Sequence, residues 1–70
     1  MDAKERIGLN LQRLRRAHKL SQEELADIAG LHQTYVSGIE RGIRNPTITV
    51  IYRIADALGV EPEELVTRKP

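Results

Sequence analysis

Two short helical patterns that meet at a glycine constrain the fold of this chain more than any other feature. Residues 21–24, SQEE, form a capping box, in which the Ser21 hydroxyl and the Glu24 carboxylate each accept a hydrogen bond from a backbone N–H group. Gly30 ends this helix, because glycine adopts a positive φ at little steric cost. Only two residues then precede the next helical pattern, which Gly42 ends. The chain is therefore predicted to place two short helices across a tight turn.

Apolar residues at three- and four-residue spacing predict three further helices. The first spans about residues 4–18. After a loop that ends in Asn-Pro, which disfavours helix, the fourth opens at Pro46 or Thr47 and ends at Gly59. Pro62 suits the first position of a short fifth helix. The predicted inward-facing side chains are Ile7, Leu11, Leu14 and Ala17 in the first helix, Leu25, Ile28 and Ala29 in the second, Val36 and Ile39 in the third, Ile48, Ile51, Ile54, Ala55 and Leu58 in the fourth, and Leu65 in the fifth.

The length of 70 residues suits one small domain and is too short for two. We therefore expect a single all-α domain of five helices over residues 1–70, with its core at about 4–66 and a flexible tail at 67–70. Phe and Trp are absent, so aliphatic side chains must supply nearly all of the core. A core this thin would gain stability from a partner subunit.

Composition argues against several other classes of protein. The lack of cysteine excludes disulfides and thiolate metal sites, and His18 and His32 lack further ligands at suitable spacing, so no metal or cofactor is expected. The sequence contains no phosphate-cradling glycine loop and no nucleophile–base pair. We therefore expect that the chain is not an enzyme and binds no small-molecule ligand. No leader pattern and no apolar run near the roughly 18 residues of a membrane span is found. We therefore predict a cytoplasmic protein without a membrane partner.

The pair of short helices is typical of a helix-turn-helix, in which the first helix lies across the DNA backbone and the second enters the major groove. Side chains that face the groove must be short and either polar or basic. Gln33, Thr34, Ser37 and Gly38 meet this condition. Glutamine can form two hydrogen bonds with adenine, and threonine can contact a thymine methyl group. These residues predict double-stranded DNA as the partner.

The segment 21–46, SQEELADIAGLHQTYVSGIERGIRNP, resembles the helix-turn-helix of the Cro and phage-repressor family. The resemblance continues through IYRIADALGVEPEEL and so covers roughly residues 5–66. Within it, TYVSGIERGIRNP is similar to the small controller proteins of restriction–modification operons. This resemblance implies a compact five-helix, lambda-repressor-like DNA-binding domain with the helix-turn-helix in its second and third helices.

The resemblance also implies roles for particular residues. The structural ion pair that links the first helix to the end of the third corresponds to Arg15 and Glu40. Tyr35 has two open interpretations, a phosphate contact or a cover for the edge of the core. The expected base contacts are His32, Gln33, Thr34 and Ser37. The expected contacts with the DNA backbone are Gln22, Tyr35, Arg41, Arg44 and Asn45, and Arg16 is expected to reach the flanking backbone.

Two residues depart from the pattern of the family. His32 stands where many relatives have Ser or Thr at the cap of the recognition helix, and histidine is a weaker cap. Gln33 stands where controller proteins often have arginine, so an arginine–guanine contact is not available at this position. The preferred operator of those relatives therefore cannot be transferred to this chain.

We predict a sequence-specific transcriptional regulator that binds a palindromic operator as a homodimer, with a restriction–modification controller as the foremost candidate. One recognition helix presents about four side chains, and a dimer doubles the contacts and sets half-sites about one helical turn apart. Alternative functions on the same fold are an antitoxin and a protein-interaction module. The candidates for the dimer interface are Ile43, Val50, Tyr52, Val60 and Val66.

Overall fold

The computed structural model describes residues 1–68, which form five helices and no strand. The predicted all-α fold is thus confirmed. The predicted flexible tail includes residues 69 and 70, which lie outside the described residues. The helices are α1 (Ala3–Ala17), α2 (Gln22–Ala29), α3 (Gln33–Glu40), α4 (Ile48–Leu58) and α5 (Glu63–Val66).

Polar caps determine where three of the helices begin. The predicted capping box opens α2, since Ser21 Oγ accepts from the Glu24 N–H at 3.0 Å and Glu24 Oε1 accepts from the Ser21 N–H at 2.8 Å. The pKa of the Glu24 carboxyl is lowered, first by the hydrogen bond from the Ser21 backbone N–H and then by the interaction with the Ser21 side chain, because both favour the ionised form. A second box, between Asp2 and Glu5, opens α1, and Thr47 caps α4.

The core is formed by aliphatic side chains from all five helices. Leu11, Leu25, Ile39, Ile54, Leu65 and Val36 are the largest side chains that are fully buried. The helices α1 and α2 both pack against α3, α5 packs against α1, and α4 packs against α2. Helix α3 is therefore held by two neighbours on one side, and its opposite side is left uncovered by the other helices.

Three predicted inward positions are wrong. Ile28 is 59% exposed, and Ala26 is buried instead, because α2 centres its buried face on Leu25, Ala26 and Ala29. Ile48 is 70% exposed, since it is the first residue of α4 and the buried face begins one turn later. Ala17, the last residue of α1, is also exposed.

A buried asparagine attaches the end of the chain to the first helix. Asn10 lies on the inner face of α1, and its Nδ2 donates to the carbonyl oxygens of Leu65 at 2.8 Å and Thr67 at 2.9 Å. Both bonds use carbonyl groups at the end of α5, where a short helix lacks its own donors. A single side chain therefore fixes α5 against α1.

Candidate nucleic-acid interface

The turn between α2 and α3 occupies residues 30–32. Gly30 adopts the left-handed conformation with φ 71° and ψ 35°, which glycine tolerates best. The Leu31 N–H then donates to the Ala26 carbonyl at 2.8 Å, and the Leu31 side chain packs partly buried against the core. His32 precedes α3 without a side-chain cap bond, in agreement with the weak cap predicted for histidine. The geometry places α3 immediately after the turn.

The outer face of α3 carries the side chains predicted to read bases. His32, Gln33 and Thr34 are exposed, and Ser37 is partly exposed, whereas Val36 and Ile39 point inward and are fully buried. Within residues 1–68, the side chains of Gln33, Thr34 and Ser37 form no hydrogen bond with the protein. Their donors and acceptors are therefore free to bind an external partner.

Tyr35 and Gly38 lie differently from their exposed neighbours. Tyr35 is half-buried and packs against the core. This packing agrees with the interpretation of Tyr35 as a residue that covers the edge of the core. Gly38 was predicted to face the groove; it lies on the same side of α3 as Thr34, but it is buried rather than exposed. The Arg44 side chain covers it, and a Cβ atom built at Gly38 would lie 2.5 Å from Arg44 Cγ.

The structure brings Arg15 and Glu40 together, as the resemblance implies. Arg15 Nε donates to Glu40 Oε2 at 2.6 Å, and Arg15 Nη2 donates to Glu40 Oε1 at 3.0 Å. The Glu40 side chain is 3% exposed and that of Arg15 is 12% exposed. The hydrogen bonds to Glu40 raise the pKa of Arg15, against the opposing effect of burial. The carboxylate is thus directed into the protein and away from the exposed face of α3.

Glu40 contacts α2 as well as α1, which it reaches through the ion pair with Arg15. Gln22 Nε2 donates to Glu40 Oε1 at 3.0 Å, and Gln12 Nε2 donates to the Glu40 carbonyl oxygen at 3.0 Å. Arg15 Nη1 also donates to the Leu20 carbonyl at 2.8 Å. Helices α1, α2 and α3 therefore meet at one glutamate. The sequence analysis missed the bond from Gln22, which it expected only as a contact with the DNA backbone.

The remaining predicted contacts with the DNA backbone lie at exposed positions. Arg41 follows the last residue of α3, and Arg44 and Asn45 belong to the loop that leads to α4. Arg16 is exposed near the end of α1. Helix α3 has eight residues, so its two ends are about 12 Å apart. The residues predicted to contact phosphates in the loop therefore lie within about one short helix length of the residues predicted to contact bases.

The candidates for a dimer interface fall into two groups. Ile43, Tyr52 and Val66 are large apolar side chains at least 47% exposed. Val50 and Val60 are partly buried and pack against the core, so they expose less apolar surface than the first group. Val50 lies one turn before Ile54, beside the buried face of α4. The Val60 N–H donates to the Ala55 carbonyl, and this bond folds Val60 back onto α4. Other exposed large apolar side chains, missed by sequence reasoning, are Met1, Leu9, Ile28 and Ile48.

Two further properties of the described residues concern membranes and metal ions. No helix among residues 1–68 has the length and hydropathy needed to cross a membrane. In the same part of the chain, no group of three or more His, Cys, Asp or Glu side chains is arranged to hold a metal ion.

The exposed α3, held behind a tight turn by α1 and α2, defines the class of helix-turn-helix domains. Comparison with known families identifies the chain more closely. A sequence profile described as Helix-turn-helix matches residues 11–65, and the chain belongs to that family.

Relatives of known name agree with this assignment. The uncharacterized HTH-type transcriptional regulator y4dJ of Sinorhizobium fredii is 49% identical over 67 residues, which cover 96% of this chain and 87% of the relative. Control protein C.SmaI of Serratia marcescens is 42% identical over 69 residues, which cover 99% of this chain and 82% of that protein. The crystal structure of the restriction-modification controller protein C.AhdI from Aeromonas hydrophila matches with a TM-score of 0.86 at 47% identity, and the match covers 89% of this chain and 94% of that one.

The interpretation of the sequence as a DNA-binding transcriptional regulator is thereby confirmed at the level of the family. The resemblance to restriction–modification controllers is confirmed as well. The dimer, the palindromic operator and the roles of individual residues stay predictions.

Proposed function

We propose that this protein binds a palindromic DNA operator as a homodimer and controls transcription as a restriction–modification controller does. The observation that carries the proposal is the outer face of α3. Its polar side chains Gln33, Thr34 and Ser37 make no hydrogen bonds within residues 1–68, while the inner face is fixed through Glu40. A face of this kind meets the requirements for insertion into the major groove.

The base contacts are assigned to the first turns of α3. The Gln33 carboxamide carries a donor and an acceptor, which match the N6 and N7 groups of adenine. Thr34 supplies a hydroxyl and a methyl group for the neighbouring base pair, and His32 and Ser37 lie at either side. We expect half-sites that contain adenine opposite Gln33, unlike those of a relative with arginine there.

The contacts with phosphates are assigned to residues around α3. Gln22, at the start of α2, and Tyr35, within α3, are both partly buried, so their positions are restricted before DNA binds. Cationic and polar groups on the exposed loop and at the end of α1 add attraction to phosphates without reading the sequence. These groups are Arg41, Arg44, Asn45 and Arg16.

The dimer is proposed because one α3 offers too few base contacts for high specificity. Ile43, Tyr52 and Val66 are the predicted interface residues that are exposed on this protomer. Sedimentation should show a dimer at micromolar concentration or on operator DNA. A monomer at tens of micromolar, both free and bound to DNA, would remove this part of the proposal.

Replacement of Gln33 with alanine should cost about 1–3 kcal/mol of binding free energy on the preferred site. The variant loses the two hydrogen bonds to one base, so it should also accept other bases at that position. Fluorescence titration of the preferred duplex and of its variants at that base pair measures both effects. Unchanged affinity together with unchanged preference would show that α3 lies in a different register.

Replacement of Arg44 with methionine should weaken binding to all duplexes by a similar factor. Methionine keeps an unbranched apolar stem and removes the charge, so the change isolates one phosphate contact. The slope of log affinity against log salt should become shallower by about one unit. Gln33→Ala is the matched contrast, since it should alter base preference and leave this slope nearly unchanged. A change of base preference in the Arg44 variant would contradict the assignment to phosphate.

The proposal includes no catalytic step, in agreement with relatives that are named as regulators and control proteins. Because a regulator of this type acts on the genome, we place the protein in the cytoplasm of a bacterial cell. If the purified protein did not bind duplex DNA at low salt, that result would instead favour a protein-interaction module.

A further inference from the structure

Gly38 and Arg44 form a contact that neither the sequence pattern nor the family assignment explains. Gly38 lies in the second turn of α3, and it follows Thr34 by four residues, so both lie on one side of the helix. Arg44 belongs to the loop after α3 and is exposed as a whole, yet its side chain covers Gly38.

The contact leaves no room for a Cβ atom at position 38 while the Arg44 side chain keeps its place. A Cβ atom at Gly38 would lie 2.5 Å from Cγ, 3.5 Å from Nε and 3.6 Å from Cβ of Arg44. Real Cβ atoms do not approach another carbon to 2.5 Å, so any other residue at this position would displace the Arg44 side chain. The missing side chain of Gly38 thus creates the space in which the stem of Arg44 lies.

The backbone holds Arg44 at the same point. The Gly38 carbonyl accepts from the N–H of Ile43 at 3.0 Å and from the N–H of Arg44 at 3.2 Å. The Arg44 guanidinium, by contrast, makes no hydrogen bond or ion pair within residues 1–68. The stem is therefore fixed by packing, while all the donors of the guanidinium are free.

We infer that Gly38 is a positioning residue, which lays Arg44 along α3 and presents its guanidinium to the DNA backbone beside the base-reading face. A side chain that is ordered before binding loses less conformational entropy when it meets a phosphate. This inference rests on the proposed function, because it assigns to Gly38 a part in DNA binding. Gly38 itself makes no contact with DNA in this scheme.

The test combines Gly38→Ala with Arg44→Met in a double-mutant cycle on a random-sequence DNA duplex. Gly38→Ala should leave the free energy of unfolding equal or greater, since alanine favours helix and a side chain can move aside. Its affinity for DNA should fall by about two- to tenfold, as expected for one side chain that must be ordered on binding. In the Arg44→Met background, the same substitution should have no further effect.

A second measurement begins with the unaltered protein, so its first result does not depend on how the variants fold. The ¹⁵N heteronuclear NOE of Arg44 Nε in the free protein should be higher than that of Arg13, which is exposed on α1. In Gly38→Ala it should fall to the value of Arg13.

The outcomes separate this inference from the proposed function. If the unaltered protein does not bind the duplex, the proposed function fails. If it binds, and Gly38→Ala binds equally well or loses affinity to the same extent in both backgrounds, Gly38 does not act through Arg44. An Arg44 NOE no higher than that of Arg13 would likewise overturn the inference.

Discussion

Replacement of Glu40 with alanine should lower the free energy of unfolding by about 3–5 kcal/mol. The loss arises because Glu40 is buried and accepts from both Arg15 and Gln22, so its removal leaves donors without an acceptor. The guanidinium of Arg15, whose side chain is mostly buried, would then carry a charge without a counterion. In a domain of this size each kcal/mol lowers Tm by roughly 4–8 °C, so the variant should melt far below the parent protein.

Urea unfolding followed by circular dichroism measures this loss. Asp56→Ala is a suitable control, since Asp56 is an exposed acid on α4 and its removal should change stability by no more than about 0.5 kcal/mol. The double variant Arg15→Leu with Glu40→Leu should lose less than the sum of the two single changes, because it leaves no charge unpaired. A loss below about 1 kcal/mol for Glu40→Ala would show that the glutamate does not join the three helices.

Replacement of Gly8 with alanine should destabilise the protein, by about 1–3 kcal/mol or more, although alanine is the better helix former. A Cβ atom at Gly8 would lie 2.5 Å from the Ile39 carbonyl oxygen and 2.8 Å from that of Glu40. Both atoms belong to the backbone of α3 and cannot rotate aside. The helices α1 and α3 would therefore have to separate, and the Glu40 contacts would weaken with them.

Gly38→Ala provides the matched control for this prediction. Both glycines are buried within helices, but the added methyl at Gly38 meets a side chain that can move. Thermal unfolding should place Gly8→Ala well below the parent protein, and Gly38→Ala at or above it. If the two variants gained stability alike, α1 and α3 would not be in backbone contact at Gly8.

Features that depend on local chemistry could be predicted from the sequence. The capping box at Ser21, the stop at Gly30 and the cap at Thr47 each act within a few residues, so their residue types alone determine the helix ends. The box between Asp2 and Glu5 has the same spacing as the box at Ser21, and that pattern could have revealed it.

Features that depend on tertiary packing were harder to predict. A helix of eight residues has only about two turns, so the spacing of its apolar residues could not decide between Ala26 and Ile28 as the inward side chain. The roles of Gly8 and Gly38 depend on atoms at least six residues away, and the bond from Gln22 to Glu40 crosses two helices. An isolated glycine inside a helical pattern was the available signal for close packing at both positions.

The exposed face of the candidate site was better predicted than its surroundings. Polar residues at Gln33, Thr34 and Ser37 alternate with buried Val36 and Ile39, so the helical period alone separates the two faces. The conformation of the loop could not be predicted in this way. The position of Arg44 over Gly38 depends on a hydrogen bond from the Arg44 N–H to the Gly38 carbonyl.

Selection of bound duplexes from a random DNA library, with the unaltered protein and with Gln33→Ala, tests most directly whether the outer face of α3 reads the major groove. We expect the unaltered protein to enrich a two-fold-symmetric site with half-sites about one helical turn apart. Gln33→Ala should enrich the same spacing, with base preference lost at one position in each half-site. No enrichment by the unaltered protein, or an identical preferred sequence for both proteins, would contradict the assignment of Gln33 to base recognition.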